Sequence, residues 1–143
     1  MGADHTVLVG KGEDACDTGR KIFDGDGVDV SIECSGAESS VRLALFATAS
    51  AGVVVLVGLG PAEITIPVIK TCMRREIDVR GVFRYANCYP RAISMVAAGK
   101  MDLKPLVSHR FVLEDVKRAF EAAKNPASGA MKVIISCSGS KIQ

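Results

Sequence analysis

The sequence predicts an α/β fold built on a doubly wound parallel sheet, and three observations carry that reading. The first is the run Gly-Val-Val-Val-Leu-Val-Gly-Leu-Gly from Gly52 to Gly60. Without polar alternation it reads as a strand buried on both faces, the habit of a parallel sheet covered by helices. The second is an alternation of strand and helix patterns leading into that run, which argues for right-handed crossovers. The third is that the run stops on Gly58 and Gly60. In open α/β sheets the crevice beyond the carboxyl ends of the strands takes the ligand. Two readings of these glycines stay open: a backbone stripped of Cβ atoms so that a ligand can approach, or simply a tight turn.

Taken in order, His5–Val9 is a short apolar strand that begins almost at the first residue. Glu13–Asp24 repeats Cys16, Arg20, Phe23 and Ile22 at helical spacing, with acids in its first turn and Gly25-Asp26-Gly27 as the breaker. Val28–Cys34 is a strand with Val28, Val30, Ile32 and Cys34 on one face, closing on Ser35-Gly36. Glu38–Ser50 is an amphipathic helix through Val41, Leu45 and Thr48, and the Gly52 strand follows it. Beyond Gly60, Ile64–Pro67 is extended, Val68–Arg74 makes at most two helical turns, and Asp78–Phe83 returns as a strand. Pro90 suits the first turn of a helix running to Gly99, since its missing N–H costs nothing there. Pro105 breaks Leu103–Leu106, Val107–Phe111 is extended, Glu114–Lys124 is a helix and Lys132–Ser136 a final strand.

Composition narrows the function. At 143 residues the chain supports one domain with a real core. Lys plus Arg number 18 against 16 for Asp plus Glu, without long runs of one sign, so nothing points to nucleic acid or an anionic membrane. Apolar stretches fall far short of the roughly 18 residues needed to cross a bilayer, and no signal-like run opens the chain, so a cytoplasmic location is the expectation. Cys16, Cys34, Cys72, Cys88 and Cys137 form no Cys-x-x-Cys pair, and they read as reduced thiols, several of them buried.

Gly10-Lys-Gly-Glu-Asp-Ala15 has the form GxGxxA between a strand and a helix, with Glu33 at the spacing of a ribose-binding acid. Against a dinucleotide fingerprint stand Glu13 and Asp14, two negative charges where a pyrophosphate would sit. His5 and His109 are far apart and lack partners at ligand spacing, so no metal ligands are assigned. No Gly-x-Ser-x-Gly is present, and nucleophilic catalysis has no support. Arg84 and Tyr85 follow a strand end and are a donor-rich pair suited to a polar ligand; an ordinary solvated Arg and half-buried Tyr is the alternative.

The segments Ile32-Glu-Cys-Ser-Gly-Ala-Glu38, Val57-Gly-Leu-Gly60, Gly81-Val-Phe-Arg-Tyr85 with Tyr89-Pro-Arg-Ala-Ile93, and Lys104-Pro-Leu-Val-Ser-His-Arg-Phe111 together resemble the polyol (sorbitol) dehydrogenase family. That family lies within the zinc-dependent medium-chain dehydrogenase/reductase superfamily, and the similarity runs in unbroken order from Gly2 to about Cys137. Gly81–Ile93 is its most specific piece. The resemblance implies a partial Rossmann-like sheet lacking its first strands and glycine fingerprint. His5–Val9 aligns with the third strand of the cofactor domain, so Gly10–Ala15 falls where the family has no phosphate site.

It also implies that a zinc-bound polyol alkoxide gives a hydride to NAD or NADP, yielding a ketose. Cys34, Ser35 and Gly36 would border the nicotinamide ribose, and Val57, Gly58 and Leu59 would meet the carboxamide through backbone groups. Phe83 and Arg84 would flank the cofactor, and Arg84 with Tyr85 would orient substrate hydroxyls. Zinc ligands, proton relay and phosphate cradle belong to parts of the family that this alignment puts ahead of Met1, so the chain by itself is expected to be inactive, with only a partial cofactor site. A homo-oligomer through Asp78–Phe83 is expected. Two alternatives remain: a non-catalytic module that joins full-length subunits through a sheet edge, and a small nucleotide-binding domain using Gly10–Ala15.

Overall fold

The computed structural model describes residues 2–10, 12–22 and 25–137. Where the sequence reads as one domain, these divide into two compact units, Gly2–Ala86 and a second from Asn87 onward. Each is taken by itself.

The first unit contains α1 (Ala15–Ile22), β1 (Val28–Glu33), α2 (Glu38–Ala47), β2 (Thr48–Leu56) and β3 (Asp78–Gly81). The sheet has the order β1-β2-β3 with both pairs parallel, as the strand-helix alternation predicts. Val54 on β2 is fully buried against Val41 and Leu45 of α2 and Ile77, with Leu56, Ile64 and Ile66 packed around them. Burying Leu45 and Val54 contributes about 1.5–3 kcal/mol each. The predicted face Val41, Leu45, Thr48 is the buried one.

The helix ends earlier than Ser50. Thr48 turns to extended backbone, its N–H closing the last turn on Ala44 O and its hydroxyl donating to the same carbonyl at 2.7 Å. The Arg75 guanidinium then takes the carbonyls of Leu45, Phe46 and Thr48, so the orphaned end of α2 is satisfied from another element. Between the pairs Val28–Thr48 and Val30–Val53 the strand bulges, with Ala51 at φ 60°. Segment 69–73 is a wide turn in which Met73 N–H reaches Val68 O, five residues back.

Other expectations need correction. His5–Val9 pairs with no strand among the described residues, and Leu8 is 95 % exposed. A strand is a partnership, and β-branched composition does not supply one. The Gly52 run is not buried on both faces, because α2 covers only the face carrying Val54. Val30 and Ile32 do share a face, as the alternation predicts, but that face is bare, at 54 % and 65 % exposure. Helix α1 packs through Thr18 and Gly19, the latter against Phe46 and Ala47; Phe23, Asp24 and the side chains of Arg20 and Ile22 lie outside the described residues. All five cysteines are thiols, yet none is fully buried: Cys16 and Cys72 are half-buried, the other three exposed.

The second unit holds α3 (Tyr89–Ala97), with Pro90 in its first turn, and β4 (His109–Val112) parallel to β5 (Val133–Ser136). Helix α4 (Val116–Lys124) buries Ala119. The Ser108 hydroxyl accepts from Met131 and Lys132 N–H at 2.8 and 3.1 Å. No helix among the described residues is long and apolar enough to cross a membrane.

Candidate functional site

Register builds the site. Glu33, Leu56 and Gly81 stand in one row across the three strands, so the segments that follow them leave the sheet at a single edge. The ladder continues one step further, as Val57 N–H donates to Glu33 O at 2.8 Å and Val82 N–H to Leu56 O at 3.0 Å. Every site residue expected from the resemblance is therefore brought to the carboxyl end of the sheet: Cys34, Ser35 and Gly36 after β1, Val57, Gly58 and Leu59 after β2, Phe83, Arg84 and Tyr85 after β3.

The glycines there serve chain-to-chain contact. A Cβ on Gly58 or Gly60 would overlap the backbone of Gly36, and one on Gly36 would overlap Leu59 and Gly60. Of the two open readings, neither is the whole answer: the Cβ atoms are missing because two loops interlock. Glu33 anchors this lock. It is 3 % exposed, and its carboxylate accepts from Ser35 N–H (2.7 Å), the Ser35 hydroxyl (2.6 Å) and Gly36 N–H (3.0 Å). Burial, the largest single influence, pushes its carboxyl up, but these bonds and one from the Ser40 hydroxyl together hold it below the usual glutamate value. Glu33 is thus spent inside the protein and does not present a ribose-binding acid. The signal for this role was legible as an acid at a strand end with Ser two and Gly three residues on.

Outward from the lock, Leu59 is 81 % exposed, and Cys34, Ser35, Val57, Phe83, Arg84 and Tyr85 are also exposed. Arg84 has a left-handed backbone at φ 55°, and its guanidinium lies over the Phe83 ring, 5.2 Å from the centroid. A cavity of about 470 Å³ opens at the same edge, walled by Ser35 and the first turn of α2 on one side and by Val9, Gly10, Gly12 and Glu13 on the other.

At Gly10–Ala15 the acids are spent locally; Lys11 lies outside the described residues. Asp14 accepts from Cys16 and Asp17 N–H at 2.8 and 3.1 Å, and these backbone bonds hold its carboxyl below the ordinary aspartate value. Glu13 accepts from the Thr18 hydroxyl at 3.2 Å. The start of α1 already carries its own anion where a phosphate would have to sit. Nor do the donors fit zinc: among the described residues only Asp14, Cys16 and Asp17 gather ligand atoms within 4.8 Å, and Asp14 is committed to the helix cap. At the opposite end of the sheet a hollow of about 340 Å³ is lined by Gly27, Phe46, Lys70 and Arg75. Its cations are engaged, Arg75 on the carbonyls of α2 and Lys70 over the Phe46 ring at 5.3 Å.

The sequence profile of the family described as zinc-binding dehydrogenase matches residues 1–98. The chain belongs to that family. Sorbitol dehydrogenase of Rattus norvegicus is 45 % identical over 139 residues, 96 % of this chain and 38 % of the rat protein. L-Arabinitol 4-dehydrogenase of Hypocrea jecorina is 40 % identical over 134 residues, 92 % of this chain and 35 % of its own. Among solved structures, a zinc-binding dehydrogenase from Sinorhizobium meliloti 1021 bound to NADP matches with a TM-score of 0.67 and 30 % identity.

 The share matched is 78 % of this chain and 32 % of the solved one. The chain thus spans little more than a third of the length of the curated relatives it matches. Its sheet is a partial Rossmann-like sheet of the zinc-dependent medium-chain dehydrogenases.

Proposed function

We propose that the carboxyl edge of β1, β2 and β3 is the nicotinamide-facing part of a dinucleotide site in a polyol dehydrogenase. The observation that carries it is the row Glu33–Leu56–Gly81, from which three loops leave side by side. That edge is where open parallel sheets bind ligands. The residues fit such a group in part: exposed Cys34, Ser35, Val57 and Leu59 offer a surface of small and apolar side chains with backbone groups between them, held rigid by the Gly36–Gly58–Gly60 lock. When bound, the nicotinamide supplies hydride acceptance. This chain's own part is to orient it: Phe83 and Arg84 flank the ring, backbone groups of Val57, Gly58 and Leu59 meet the carboxamide, and Arg84 with Tyr85 orients polyol hydroxyls.

The choice of NAD or NADP rests with neither Glu33 nor Gly10–Ala15, whose acids are already engaged. The donors among the described residues do not fit zinc. We therefore expect the chain alone to bind reduced cofactor weakly and to oxidise no polyol. Titration with NADH and NADPH, followed by amide shifts, should perturb residues 34–36, 57–59 and 83–85. Perturbation of Gly10–Ala15 instead would overturn the reading. An assay with sorbitol or xylitol and NAD or NADP should stay at background.

The outer edge of β3 is unpaired among the described residues, and Val79 and Val82 are exposed. This supports a homo-oligomer through Asp78–Phe83. A lysine in place of Val82 should raise the monomer fraction in sedimentation.

A further inference from the structure

Asp26 and Gly27 form the last step of the turn that enters β1. Asp26 is exposed at the rim of the amino-end hollow, and neither its carboxyl nor the Gly27 N–H has a hydrogen-bond partner among the described residues. A carboxyl side chain closes on the nitrogen of the following residue most readily where that residue has no Cβ to block the approach, and glycine has none. Here the glycine is obligatory. Its φ is 101°, and a Cβ on it would lie 2.4 Å from Ala47 O and 2.9 Å from Ala49 N. The packing of β1 against the end of α2 therefore fixes a glycine behind an exposed, unengaged aspartate.

Other aspartates lack this combination. Asp14 and Asp102 accept backbone N–H bonds, and Asp78 and Asp115 are paired with Arg80 and Arg118. Asp17 is held within α1, and Asp29 precedes Val30, which is β-branched and paired with Val53.

We propose that Asp26 is a modification site, at which the folded chain forms isoaspartate and becomes a substrate for a protein-isoaspartate carboxyl methyltransferase. The Gly27 nitrogen attacks Cγ of the protonated Asp26 carboxyl. The N–Cγ bond forms, the Cγ–OH bond breaks, and the hydroxyl leaves as water with the amide proton. The five-membered succinimide then takes up one water. Cleavage of its N–Cγ bond restores aspartate, whereas cleavage between the nitrogen and the main-chain carbonyl carbon of Asp26 routes the chain through Cγ and frees an α-carboxylate. No change in mass or oxidation state results. That carboxylate accepts a methyl group from S-adenosylmethionine, giving a methyl ester and S-adenosylhomocysteine. The isomer has one more main-chain atom ahead of Gly27, which is already wedged against Ala47–Ala49, so the pairing of Val28 with Thr48 is displaced.

The test ages the purified 143-residue chain for weeks at body temperature and neutral pH, then offers it to a protein-isoaspartate methyltransferase with isotopically labelled S-adenosylmethionine. Label should accumulate with age, and peptide mapping should find severalfold more isoaspartate at Asp26 than at Asp29. Asp26→Glu keeps the charge but would need a larger ring, and it should abolish the label. Aged chain should also unfold at lower denaturant than fresh chain, and the Asp26→Glu chain should show no such shift. Asp24-Gly25 is the internal control, the same pair of residues with Asp24 outside the described residues. Label confined to Asp24, or label that survives Asp26→Glu, overturns the proposal. Isoaspartate that forms only in urea overturns it equally, since the fold would then protect the site, and equal midpoints for fresh and aged chains would overturn the displacement of Val28 from Thr48.

Discussion

The two ends of the three-stranded sheet make an instructive pair. The amino end has two cations, Lys70 and Arg75, around a hollow, and on charge alone it looks the better place for an anionic cofactor. Both cations are occupied by the protein, however, one over an aromatic ring and the other on helix carbonyls. The carboxyl end has a buried acid, three glycines and a row of exposed side chains. There the polar bonding is internal and finished at Glu33, so the loops are stiff while their outer surface stays available. Availability, more than charge, distinguishes a ligand site from a structural one.

The largest effect should come from breaking the lock. Gly60→Ala puts a methyl group into the backbone of Gly36 and should cost on the order of 3 kcal/mol, read as a lowered midpoint in denaturant unfolding. An unchanged midpoint would mean that the two loops are not interlocked in solution. At the other end, Arg75→Ala leaves the carbonyls of Leu45, Phe46 and Thr48 without their donor and should cost about 2 kcal/mol. It should not alter cofactor-induced shifts at residues 57–59, and a change there would show that the ends are coupled.

Glu33→Gln keeps the shape but removes the charge that Ser35 and Gly36 bind, and should cost about 1.5 kcal/mol near neutral pH. The sign of its pH dependence follows from the lowered carboxyl. The stabilisation is present above the ordinary glutamate value and is lost as pH falls through the lower folded value. Acid titration of stability should therefore show a shallower limb in the variant. The smallest effect on folding belongs to Arg84→Ala, within about 0.5 kcal/mol for an exposed side chain, whereas cofactor or polyol binding in a reconstituted enzyme should fall. Arg84→Ala with binding intact would remove Arg84 from the site.

Much of the fold was legible. The apolar period of α2, the glycine-bounded run of β2 and Pro90 at the start of α3 each reflect local physics, namely a buried stripe, a helix-covered strand and a residue without an N–H. The end of α2 was less so, because Arg75 reaches it from 27 residues away. Residues 34–36, 57–59 and 83–85 enter the proposed site through resemblance, and their convergence on one edge is a product of register.

By itself the sequence determined the strand order of events along the chain, the parallel habit and the residue types at each strand end. Only the tertiary structure decided which face of β1 is bare, that His5–Val9 pairs with no strand among the described residues, and that Gly36, Gly58 and Gly60 exist for one another. The physical reason is the same in each case. Helical and strand periods are properties of neighbours in sequence, whereas burial, pairing and the room for a Cβ depend on what distant segments bring alongside.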